Sequence, residues 1–151
     1  MKKEMNNKGF SLVELIIVIA IMVILVAVLA PQYLRYVEKS RVSTDTQTMV
    51  EFINACQVAA SDPDSDLSTT GTYTVTVGGT GDITVSTDLV GVLTTKLGLM
   101  ASTDFSGTTS TSKIQSTAYK NATPTITLEY DTTAKLWKVT TTGIDNSGAL
   151  N

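Results

Sequence analysis

From Phe10 to Ala30 the chain is almost unbroken apolar, with Ser11 and Glu14 the only side chains of hydrogen-bonding polarity. About 21 helical residues at 1.5 Å each reach roughly 30 Å, the thickness of a bilayer's hydrocarbon core. The pattern therefore predicts a membrane-spanning helix that carries one carboxylate, because a single span must satisfy every backbone amide internally. Beyond Pro31, which removes one backbone donor and is expected to kink the helix, the period changes without stopping. Val42, Met49, Ile53, Cys56 and Ala60, widened by Phe52 and Ala59, recur at helical spacing and predict an amphipathic continuation to about Ala60 that lies on a sheet.

Alternation takes over after the polar stretch Ser61 to Asp66. Tyr73, Val75 and Val77 alternate with threonines, Gly78 to Asp82 supplies a turn, and Ile83 and Val85 alternate again, which is a hairpin signal. Thr125 to Tyr130 and Lys135 to Thr142 predict a second hairpin around Asp131 to Ala134. Between them, Thr87-Asp88 is expected to cap a short helix to about Met100. Ala101 to Ser116, rich in Ser and Thr, reads as a surface loop, and the tail from Gly143 as loose. The predicted class is α+β, a long N-terminal helix packed on a small antiparallel sheet. Its divisions are a leader (1–9), a spanning helix (10–30), an amphipathic half-helix (31–60) and a Thr-rich head (61–151).

Composition narrows the function. The chain of 151 residues has a formal net charge of −3. Without residues 1–9, whose Lys2, Lys3 and Lys8 outweigh Glu4 by two charges, that becomes −5. An acidic chain with no basic run is poorly suited to holding phosphates, so no direct nucleic-acid binding is expected. There is no histidine, which removes the commonest general base and metal ligand. No nucleophile–base pair and no phosphate-binding glycine loop stands out, so an enzyme is not expected, nor a cofactor. The one cysteine, Cys56, cannot form an intrachain disulfide, and its place in the apolar stripe predicts a buried, inert thiol. Asp62, Asp64 and Asp66 have the spacing of the first three ligands of an EF-hand loop and form a weak calcium candidate. Leu67 stands where that loop needs glycine and Tyr73 where it needs glutamate, and an exposed polar turn explains the acids equally well.

Glu14 itself has two readings. Ser11-Leu12-Val13-Glu14 fits the capping-box spacing, in which Ser and Glu satisfy free amides of the first helical turn. The other reading takes in the basic stretch ending in Lys8-Gly9, the hydrophobic Phe10 and the carboxylate four residues later. That arrangement, extending through Pro31-Gln32-Tyr33 and Tyr36-Val37, resembles the precursors of type IV pilins and of the related pseudopilins of type II secretion. The resemblance covers about the first third of the chain. It implies a lollipop-shaped subunit cut between Gly9 and Phe10 by a prepilin peptidase on the cytoplasmic side, with Phe10 then N-methylated. It further implies assembly sites at Glu14 and Pro31, a homopolymeric filament at the cell surface, and an assembly platform with its own ATPase. Val23 departs from the family, which often has glycine there.

Flanking charge leaves topology undecided, since Lys2, Lys3 and Lys8 are matched by Arg35, Lys39 and Arg41 beyond the span. The orientation with a cytoplasmic N-terminus follows from the resemblance. An ordinary signal peptide cut after Ala30 fits poorly, because Pro31 follows and the helical pattern continues. The alternatives to a pilus subunit are a secretion pseudopilin and an uncleaved, singly membrane-anchored surface protein.

Overall fold

The computed structural model describes residues 10–65, 67, 71–145 and 147–151. One helix, α1, runs from Leu12 to Ser61 with Pro31 inside it. Strands β1 (Thr72–Val77) and β2 (Asp82–Val85) follow, then α2 (Thr87–Gly91), β3 (Phe105–Ser106), β4 (Thr109–Lys113), α3 (Thr117–Ala122), β5 (Thr125–Asp131) and β6 (Leu136–Thr142). The strands form a six-stranded sheet of order β3-β4-β2-β1-β5-β6. Every pairing in it is antiparallel. The α+β expectation therefore holds. The chain divides into two units, Met1–Val37 and Glu38–Asn151.

In the first unit, the described part is helix with no buried side chain. From Leu12 to Leu29 the large apolar residues are exposed, as are Tyr33, Leu34 and Tyr36. The best window of α1 has a mean hydropathy of 3.4, so by length and composition the helix can cross a membrane.

The second unit has one core. Met49, Phe52, Ile53, Cys56 and Ala59 of α1 cluster with Val75, Val77, Ile83, Val85, Ile126 and Leu128 of the sheet. The helical stripe and the alternating strands predicted these positions, because a sheet packs one face while the other stays wet. The hairpins form where alternation placed them, with Val77 opposite Ile83 and Tyr130 opposite Trp137. At the second turn the Asp131 carboxylate accepts bonds from the Thr133 and Ala134 amides at 2.8 and 2.9 Å.

Three expectations are corrected. Residues 101–116 are not all loop, for β3 and β4 lie there and β4 pairs with β2. The strand Thr-Ser-Thr-Ser-Lys has too few apolar residues to show an alternation, yet its inward Ser110 is buried. Its backbone is satisfied by neighbours distant in sequence, which local composition does not register. Secondly, the helix after Thr87 stays α-helical only to Gly91, then widens into a π-helical turn at Val92–Lys96. There the Thr94 hydroxyl donates to the Val90 carbonyl at 2.8 Å, competing with the regular ladder, and the Leu97 amide reaches the Val92 carbonyl instead. The expected cap is not made either. Ser86 precedes the helix, but its hydroxyl is engaged by the Thr74 amide at 2.6 Å and carbonyl at 3.1 Å.

Thirdly, the tail is docked. Ile144 is fully buried and bridges to Leu150. The Tyr119 hydroxyl donates to the Gly148 carbonyl and is 2.9 Å from the Thr46 hydroxyl of α1. Gly148 has φ +76°, and a Cβ there would lie 2.9 Å from the Thr46 carbonyl oxygen, so only glycine suits this approach.

A carboxylate holds the docked turn. Asp145 accepts from the Ser147 hydroxyl at 2.6 Å, the Ser147 amide at 2.8 Å and the Ala149 amide at 3.1 Å. The Ser147 hydroxyl bond, foremost among these, holds the carboxyl below its ordinary value of 3.8. A lowered folded pKa stabilises above the unfolded pKa and loses that contribution as pH falls through the folded value. The C-terminal turn should accordingly loosen in acid below about pH 3.8 in wild type. In Asp145→Asn it should be equally ordered on both sides of that pH. The amide chemical shifts of Ser147 and Ala149 across the titration check this.

Candidate functional site

The chemistry-bearing stretch predicted by the sequence lies at the start of α1. Ser11 precedes the first helical residue, and the Glu14 carboxylate reaches back to accept its amide proton at 2.9 Å. The Leu15 amide bonds the Ser11 carbonyl at 3.3 Å. Glu14 thus does half of a capping box, stabilising a free amide where the helix dipole is positive. Phe10, immediately before, is 91% exposed. Gly9, the other half of the expected cleavage site, lies outside the described residues, as do residues 1–8.

Apart from Ser11, the surface around Glu14 is apolar: Leu12, Val13, Leu15, Ile16, Ile17 and Val18 are all exposed. In water such a surface is untenable. Each Val, Leu or Ile left exposed forgoes about 1.5–3 kcal/mol of burial. The helix therefore requires lipid or other apolar helices around it. Pro31 lies in α1 at the end of this apolar run, and α1 is unbroken at both Val23 and Pro31.

The weak calcium candidate has a simpler structural account. Asp62 accepts the Asp64 amide at 2.8 Å, an Asx turn that starts the 3₁₀ turn Pro63–Ser65. Asp66 lies outside the described residues. Among the described residues no cluster of three or more His, Cys, Asp or Glu is arranged to hold a metal. Cys56 is buried and free, and desolvation pushes its thiol up to about 12, leaving it protonated and unreactive.

Sequence reasoning passed over Asp45. It lies in α1 at 2% exposure, and its carboxylate accepts the Gln115 amide at 3.1 Å and the Ser116 amide at 2.7 Å. One residue further, the Glu38 carboxylate accepts the Thr117 amide at 2.6 Å. The two acids, seven residues apart on one face of α1, fasten the segment that opens α3. A signal was available. Asp45 occupies the helical stripe between Val42 and Met49, where a charge needs a buried partner.

The family model described as the prokaryotic N-terminal methylation motif matches residues 5–30. Three sequences of the type IV major fimbrial protein FimA of Dichelobacter nodosus are each 45% identical to this chain over 53 residues, 33% of its length. The chain spans about a third of the length of these curated relatives, 33% or 34% of each. No solved structure matches it. Over its first third, then, the chain is similar to type IV fimbrial proteins, and residues 5–30 of that stretch carry the N-terminal methylation motif.

Proposed function

We propose that this chain is the structural subunit of a type IV pilus-like surface filament. The observation that carries the reading is the exposed apolar first part of α1, Leu12 to Leu29, with a single carboxylate, Glu14, near its start and inside the methylation motif. A prepilin peptidase cuts between Gly9 and Phe10, and Phe10 is then N-methylated. The subunit waits in the membrane with its N-terminus cytoplasmic and is extracted into the filament by an assembly platform and its ATPase.

Cleavage creates an electrostatic problem that Glu14 can solve. The new α-ammonium at Phe10 sits at the end of an apolar helix, and burying it alone among other helices is costly. A carboxylate on a neighbouring helix, staggered by about one turn, neutralises it. Each charge is tolerable only at the right stagger, so the pair sets register more than it adds net stability. Moving the helix from lipid into a bundle exchanges one apolar surrounding for another, so close packing and this pair decide the arrangement. Pro31 marks the end of the part that fills the filament core. The role is structural and not catalytic.

The test is an intact mass and N-terminal peptide map of two fractions, material sheared from cells and the washed envelope. An N-methylated Phe10 terminus in abundant sheared filaments is the expected result. The same terminus confined to the envelope would favour a pseudopilin. An intact Met1 terminus in the envelope, with nothing sheared, would leave an uncleaved membrane-anchored surface protein.

A further inference from the structure

The sheet face turned away from the core is paved with threonine in register. One row crosses five strands through the paired residues Thr109, Thr84, Thr76, Thr125 and Thr142. A second row runs through Thr74, Thr127 and Thr140. Strands lie about 4.8 Å apart and rows two residues apart, so methyls and hydroxyls repeat in two dimensions. All of these residues are half-buried or exposed. Among the described residues, the hydroxyls of Thr76, Thr84, Thr125 and Thr127 have no hydrogen bond within the chain.

Charge stops at the margins of this array. Glu129 lies opposite Lys138 beyond the second row. At the other end Asp82 pairs with Lys113 at 2.9 Å. Each margin is neutral, and no charge falls between them in either row. A face kept only for solubility ordinarily intersperses Lys and Glu, as strand surfaces do to resist association. Here the surface combines stiff β-branched side chains, which lose little rotamer freedom on contact, with groups that both donate and accept hydrogen bonds.

We propose that this threonine face docks an extended, uncharged polysaccharide chain. Sugar hydroxyls match the threonine hydroxyls as donors and acceptors, and the methyls cover the C–H faces of the rings. Without a cation in either row, polyanions gain nothing there. The right-handed twist turns each strand by about 20–25° relative to its neighbour, so a rigid flat lattice would meet only a few strands. A flexible chain laid across the strands can follow all of them. The inference concerns one head domain and does not depend on filament formation.

The full-length chain in proteoliposomes, which present many copies and so amplify weak contacts, is passed over microcrystalline cellulose, chitin and starch granules. Retention on at least one of these is expected, insensitive to salt. It should fall by roughly tenfold in Thr76→Val with Thr127→Val, which keep the β-branched shape and remove the hydroxyls. Thr84→Val with Thr142→Val, at exposed positions, should act alike and guards against mistaking a folding loss for a binding loss. Thr132→Val, in the β5–β6 turn, should change nothing. Wild-type vesicles washing off all three solids would overturn the proposal, as would both valine pairs being retained as strongly as wild type. Vesicles clustering with one another in place of retention would assign the face to a second copy and overturn it too.

Discussion

Glu14→Gln is expected to be cut and held in the membrane normally yet to be absent from sheared filaments, with assembly reduced to background. Glutamine can still accept the Ser11 amide, so this substitution keeps the cap observed at 2.9 Å and removes only the charge. Glu14→Ala removes both. If the cap were the whole role, Gln would assemble as wild type, and Ala would lose only about 0.5–2 kcal/mol of helix stability at its first turn. If the charge neutralises a neighbour's α-ammonium, both variants fail alike, because the unpaired ammonium is left buried. Immunoblots of sheared and envelope fractions, normalised to cleaved protein, separate these cases. Wild-type filament yield from Glu14→Gln would refute the charge-pair account.

The second large effect is expected at Asp45. Asp45→Ala leaves the Gln115 and Ser116 amides without their acceptor in a site that is 2% exposed at Asp45. An unsatisfied buried donor costs about 1–3 kcal/mol, so the loss should be about 2–4 kcal/mol in urea unfolding of the full chain. Asp45→Asn should lose less, since its carbonyl oxygen can keep one of the bonds while its NH₂ faces donors. The region 115–117 should also exchange its amide hydrogens faster, ahead of global unfolding. A loss under about 0.5 kcal/mol would show that water replaces the carboxylate without penalty.

Legibility differs from element to element, for physical reasons. The amphipathic half of α1 was readable because Met49, Phe52, Ile53, Cys56 and Ala59 repeat at helical spacing, and all are buried. The two hairpins were readable because Val, Ile and Leu alternate with threonine, and the turns carry Gly or Asp. β4 was not, since Thr109–Lys113 holds its place by pairing with β2 and by burying a serine. Nor was the docked tail. Only Ile144 hinted at burial, and the seat for Gly148 is made by Thr46, Val50 and Tyr119, which lie far away in sequence. At the candidate site the motif was legible residue by residue. The Glu14 to Ser11 bond was one of two readings the spacing allowed.

By itself the sequence determined where this chain must avoid water and where it can meet it. Local periodicity encodes a helix face or a strand face without reference to the rest of the molecule. Hence the apolar helix with its lone Glu14, the stripe of α1 and the threonine-bearing strands could all be named in advance. Only the tertiary structure decided which distant groups satisfy one another: Asp45 with the amides at 115 and 116, Tyr119 with Gly148, and the threonines of five strands in common rows. Such pairings are chosen by backbone hydrogen bonding and burial between segments tens of residues apart, and no local pattern records them.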